Sequence, residues 1–169
     1  MSNEALQKAV NCLQFMDIWQ REASAQLSDY LEALGAFPEN HDVLFKHVVL
    51  RSLWGGSDDG DPSPYVFRVQ VALGAKLVEQ SKEDNKKQEI ERKEEPMLAQ
   101  IEAVYVAEYT SVTDPGQEAL KAFALHNASF HIWPYWREYL ASQCQRMNLP
   151  KINLPLRSFA SNREQDLHE

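Results

Sequence analysis

A chain of 169 residues is long enough to bury one proper core. Its 17 basic and 25 acidic side chains leave a net charge of −8, which argues against nucleic acid as a partner, because that association is driven by Lys and Arg displacing counterions. No apolar run approaches the ~18 residues of a membrane helix, and the N-terminus lacks the basic-then-apolar order of a secretory signal, so a cytoplasmic protein of one domain is expected.

Residues Asn3 to Leu34 predict an amphipathic helix, capped by Ser2 or Asn3 and marked by Leu6, Val10, Leu13, Trp19, Leu27, Leu31 and Leu34. Gly35 and Pro38 end it. The pattern is irregular between Gln14 and Asp17, so the stretch reads as one helix or as two. Its apolar stripe makes it either an ordinary docked helix or the cover of an apolar groove. Val43 to Trp54 is rich in β-branched residues and has no clean helical period, which predicts a strand with both faces partly covered. Gly55 to Pro64 supplies glycine, proline and aspartate, the chemistry of a loop.

From Tyr65 the alternation is clear. Tyr65, Phe67, Val69, Val71, Leu73, Ala75 and Leu77 line one side of a long strand, against Arg68, Gln70, Gly74 and Lys76. Ser81 to Pro96 is nearly all charged or polar and predicts a solvated hairpin loop, with partner binding as the rival role. Met97 to Val112 resumes alternation: Ile101, Ala103, Tyr105, Ala107 and Tyr109 oppose Glu102, Val104, Val106 and Glu108. Strands joined in this way pair antiparallel.

Gly116 to Phe159 is the most distinctive region. Between Phe130 and Tyr139 five aromatics fall in ten residues, more ring surface than one helix needs to dock on one core. Pro134 suits a first turn, so a helix is expected from Trp133 to Met147 with Ser129 as candidate cap. Its apolar stripe is Tyr135, Trp136, Tyr139, Leu140, Cys144 and Met147, while Arg137, Glu138, Gln143 and Arg146 face elsewhere. Leu149 to Leu156 alternates between prolines as an extended strap, and Ala160 to Glu169 is a polar, acidic tail.

Little in the chain points to catalysis. His41, His47, His126, His131 and His168 form no metal-binding spacing, and no cysteine pair does so either. Gly55-Gly56 lacks the lysine and following helix of a phosphate loop. Cys12 and Cys144 lie in apolar patterns, where a small buried hydrophobe is the ordinary role; Cys144 with His126 or His131 lacks the electropositive setting of an activated thiol. No cofactor or metal is expected. An enzyme on an unrelated α+β fold is the least supported reading.

A short Ala/Leu-rich helix, an aromatic run into Pro134-Tyr135-x-Arg137-Glu138, a helix, and then Leu149-Pro150-x-Ile152-x-Leu154-Pro155-Leu156 together resemble the SecB family of protein-export chaperones, in which a Phe-Pro-Tyr-x-Arg-Glu segment opens the long helix and a Pro-x-Leu-x-Leu segment follows it. The resemblance implies an α+β fold: an antiparallel sheet of about four strands with the helix packed alongside, residues 39–159 forming the SecB-like domain, 1–38 a helical extension and 160–169 a tail. It implies an ATP-independent holdase binding unfolded or partly folded clients, with protein export and translocation as the family's role; family members also present acidic sheet residues to the SecA motor, and no residue of this chain is carried over for that contact. Client grooves are then expected between sheet, loop 55–64 and helix, lined by Trp54, Tyr65, Phe123, Phe130 and Trp133. An isolated protomer would expose too many rings, so a homo-oligomer is expected. The family points to a dimer of dimers, a homotetramer, with Val104, Val106, Trp136, Tyr139 and Leu140 at the interfaces. The family's second apolar helix after the strap is missing here, and the N-terminal helix is the natural replacement as groove wall. The alternative role is a SecB-like binding module dedicated to one partner, such as an antitoxin or an assembly factor.

Overall fold

The computed structural model describes residues 3–56, 64–80 and 96–154. Four strands form one antiparallel sheet in the order β1-β4-β3-β2: β1 Gln14–Leu27, β2 His41–Gly55, β3 Tyr65–Glu79 and β4 Met97–Ser111. Helix α1, Asn3–Cys12, precedes the sheet, and α2, Asp29–Leu34, links β1 to β2. Helices α3, Gln117–Phe123, and α4, Ser129–Arg146, follow it and are joined without a break by a π-helical turn over Ala124–Ala128. The α+β architecture, the four-stranded antiparallel sheet and the packed helix are as the sequence implies. The loop at 57–63, the hairpin connection at 81–95 and the tail from 155 lie outside the described residues.

The sheet has a helix face and an outer face. Odd-numbered residues of β3 and β4, from Phe67 to Leu77 and from Ile101 to Tyr109, are buried beneath the helices. From α4, Ile132, Trp136, Leu140 and Cys144 descend onto this surface at steps of four, each 3 % exposed or less. Each such large apolar side chain contributes about 1.5–3 kcal/mol through burial. Helix α1 packs on α3 and buries Ala9 completely.

The N-terminal helix over 3–34 is corrected to helix, strand, helix. Inward positions on β1 are Phe15, Ile18, Gln20, Ala23, Ala25 and Leu27, because their partners Tyr109, Ala107, Tyr105, Ala103, Ile101 and Ala99 point to the helix face. Register shifts around Met16 and Arg21 insert steps of three among the steps of two, so a bulged edge strand imitates helical periodicity. Ser28, whose Oγ accepts from the Leu31 N–H at 3.1 Å, caps α2, and Gly35 with φ +69° ends it.

The start of the long helix is also corrected. Ser129 is no cap: it is helical, 1 % exposed, and its hydroxyl meets His47 Nε2 at 2.7 Å. Pro134 lies inside α4, on its exposed side, and the helix continues through it. The far end is as expected: Asn148 turns left-handed at φ 53°, the Leu149 N–H donates to Cys144 O at 2.9 Å, and the strap follows with Leu149 buried.

Candidate functional site

Each strand places one ring at the same level of the sheet. Trp54 on β2 faces Phe67 on β3, Phe67 faces Tyr109 on β4, and Tyr109 faces Phe15 on β1. Centroid separations along this ladder are 6.2, 6.3 and 6.0 Å, within the range of favourable edge-on and tilted ring pairs. Tyr65 extends the β2 end by stacking on Trp54 at 4.9 Å and 14°. The helices close the ladder from above: Phe123 stands edge-on to Tyr109 at 4.9 Å, and His131 lies 5.7 Å from Tyr109 and 5.6 Å from Phe15.

Exposure grades outward along the ladder. Phe67 and Tyr109 are 1 % exposed, whereas Trp54 and Tyr65 are half-buried and Phe15 is 48 % exposed. The middle is core and both ends reach solvent. Burial pushes the Tyr109 phenol well above its ordinary range and holds the His131 imidazole below its own. The Tyr109 hydroxyl and His131 Nδ1 lie within hydrogen-bond distance, 2.9 Å apart. The centre of the site is thus packed and largely apolar, and the ring surface it leaves accessible lies at its two ends.

Of the residues nominated as client-binding, the structure joins Trp54 and Tyr65 directly and sets Phe123 above Phe67 and Tyr109. Phe123 is 2 % exposed and supports the site from inside rather than touching a ligand. Phe130, 63 % exposed, and half-buried Trp133 stand on α4. Phe15, Phe67, Tyr109 and His131 were not foreseen as site members. The signal for three of them is the strand alternation, but their alignment depends on register, and Phe15 was hidden by the helical reading of β1.

The nominated interface residues divide. Trp136 and Leu140, both 1 % exposed, are consumed by the protomer's own core and are corrected to core residues; a helix stripe that meets a sheet is already covered. Val104 and Val106 lie on the outer face, half-buried and 3 % exposed, and Tyr139 is half-buried on α4. Burial on the same stripe pushes the Cys144 thiol up, away from the thiolate a nucleophile needs. Among the described residues no group of three or more His, Cys, Asp or Glu converges on a metal-sized space, and no helix is long and apolar enough to cross a membrane.

No protein-family model matches the chain, and no curated protein matches it in sequence. Among solved structures it is similar to a Mycobacterium tuberculosis SecB-like chaperone in complex with a ChAD peptide from the HigA1 antitoxin. That similarity has a TM-score of 0.64 and 16% identity, covering 92% of this chain and 96% of the other. A Streptococcus agalactiae protein of unknown function aligns at a TM-score of 0.33 and 6% identity, over 85% of this chain and 97% of that one. The chain has a SecB-like fold.

Proposed function

We propose that this protein, with its SecB-like fold, is an ATP-independent holdase that binds unfolded or partly folded polypeptides. The observation that carries the reading is the cross-strand ring ladder, packed in its middle and open at its ends. Rigid aromatic surface with no charged group inside it binds apolar side chains of many sequences at small entropic cost. The half-buried pair Trp54 and Tyr65, with Trp133 and Phe130 on the helix, supplies the contact surface. Phe67, Phe123 and Tyr109 hold it in shape. Affinity comes from many weak apolar contacts, and the net charge of −8 keeps a loaded complex soluble.

Oligomerisation belongs to the proposal. β1 has a neighbour on one side only and 13 of its 14 residues are exposed. Its free edge, with Tyr139, is the surface left to bury now that Trp136 and Leu140 are taken. A dimer of dimers in the cytoplasm is the form the family resemblance implies. Delivery of export clients to a SecA-type motor has less support, because Glu22, Glu102 and Glu108 on the outer sheet face are each paired with a cation, Arg21, Lys46 and Arg68.

The test is aggregation of several unrelated, chemically unfolded clients with and without the protein, in the presence and absence of ATP. Delayed aggregation that is insensitive to ATP, and lost in a Trp54→Ser, Phe130→Ser double variant, is expected. A second reading has its own observation: the solved relative holds a peptide from one antitoxin. Service to a single partner predicts unchanged aggregation of all general clients and one stoichiometric companion on purification from native cytosol.

A further inference from the structure

Helix α1 is held in place by little. Its inward stripe is Leu6, Ala9 and Leu13, at steps of three and four. Within the helix only Ala9 is fully buried; Leu6 is half-buried, and buried Leu13 is the single residue that links α1 to β1. With ten residues, α1 is also shorter than the about 12–15 at which an isolated helix becomes even marginally stable in water.

The seat on α3 is incomplete. A cleft of about 410 Å³ opens between the first turns of α1 and the start of α3, lined by Ala5 and Lys8 on one side and by Gly116, Glu118 and Ala119 on the other, among others. Lys8 and Glu118 share this cleft, yet no ion pair among the described residues joins the two helices. The grip is therefore concentrated at Ala9 and Leu13.

The surface beneath α1 is apolar and continuous with the ring ladder. Ala122, Ala119, Phe123 and Leu120 are all buried on α3, an arc of roughly 160° where a stripe of about 100° suffices for one core contact. Phe123 meets the sheet, 4.9 Å from Tyr109. The Ala119 side of the arc, which shares the cleft with Ala5, is the part α1 shields. On the other side of Tyr109 stands Phe15, the open β1 end of the ladder, and only Leu13 and Gln14 separate it from the end of α1.

We propose that α1 is a displaceable cover. It swings about Leu13, and an apolar stretch of an unfolded client takes its place on α3 while the rest of that client holds to the exposed rings. Built on the holdase reading, the cover adds regulation to it: a client must compete with the protein's own helix, and the surface stays shielded when no client is present. A cover open in about one molecule in ten lowers the apparent affinity about tenfold.

The test uses the full chain, with fluorescence anisotropy of a labelled, chemically unfolded client and amide hydrogen exchange. Ala9→Glu puts a charge into the docking stripe and should undock α1, so client affinity should rise about tenfold although the thermal midpoint falls. Asn11→Arg, at an exposed position, improves helix propensity and supplies the basic residue that the last turn lacks; it should weaken client binding about twofold. In the unmodified chain, saturating client should strip exchange protection from the amides of Gln7 to Leu13 while β3 and β4 keep theirs. Circular dichroism checks that the variants fold, and the exchange measurement decides alone if Ala9→Glu does not. Client binding with α1 still protected, or with an affinity that Ala9→Glu leaves unchanged, would overturn the cover and leave the holdase standing. No client binding by the unmodified chain or by Ala9→Glu would overturn both.

Discussion

Lys46 and Glu102, 56 residues apart, form an ion pair that passes over Gly74, so strands β2 and β4 are linked across a middle strand that contributes no side chain at that point. Both partners are partly exposed, at 53 % and 33 %, and a pair in that setting contributes about 0.2–1 kcal/mol. Gly74→Val should push it apart and lower the thermal midpoint by a few degrees at low salt, with the difference from wild type shrinking in about 0.5 M salt, where screening already weakens the pair. A difference that salt leaves unchanged would assign the loss to backbone strain instead.

The two ends and the middle of the ring ladder should respond differently to truncation. Phe67→Ala removes a 1 % exposed ring and is expected to cost about 3–5 kcal/mol, a large share of the about 5–15 kcal/mol that holds a domain folded. Trp54→Ala removes a half-buried ring at the rim and should cost less than half of that while weakening client holding several-fold. Urea unfolding and client anisotropy measured on both variants separate the roles; equal destabilisation would mean that Trp54 is simply core.

Stability should fall in mild acid. His131 lies among Phe15, Tyr109 and Phe123, and burial holds its imidazole below the ordinary value. A base with a depressed folded-state pKa binds its proton more readily when unfolded. Its contribution is therefore complete above the unfolded value of about 6.5 and is lost as pH falls from there toward the folded value. Urea midpoints between pH 7.5 and 5 should decline, and His131→Gln should flatten that slope. An unchanged slope in the variant would shift the effect to another group.

Pro134 interrupts α4 on its solvent side. Interior proline is several-fold worse than any ordinary residue in a helix, by about 3 kcal/mol against alanine when unrelieved. Since the proline sits on the exposed side and the helix continues through it, Pro134→Ala should recover only part of that, about 1–2 kcal/mol, and raise the midpoint in calorimetry. A lower midpoint would show that the proline ring, or the bend it sets, is part of the helix's seat on the sheet.

Removing residues 1–36 takes away an entire strand together with α1 and α2. The product should be unfolded or aggregated, whereas removal of residues 1–12 should leave a folded sheet that melts lower because the α3 surface under Ala9 is uncovered. Circular dichroism of the two truncations decides this. A well-folded 37–169 fragment would overturn the assignment of β1 to the sheet.

The central strands were legible because both are covered on the helix face and partly open on the other, so Tyr65 to Leu77 and Met97 to Val112 carry the alternation that burial imposes. β1 was not, because an exposed edge strand needs little apolar residue content and its two bulges scramble the period that remains. The short Ala/Leu-rich helix was legible, but the long helix was read as starting too late, at Trp133, since Pro134 signals a first turn in isolation, while here the π turn joins α3 to α4 and Ser129 is already helical. The ring ladder was half legible. Its rings stand out in the sequence, but which rings share a level is a property of register, and register is set by pairing between distant segments.

The bulges of β1 at Met16 and Arg21, with the irregularity near Leu50 on β2, put a defect in each free edge of the sheet. An unbroken edge is a template on which any extended chain can polymerise. Each defect limits the run of regularly spaced hydrogen-bonding groups to a few residues. An added strand would then find only a short stretch to pair with, which works against growth into a fibre.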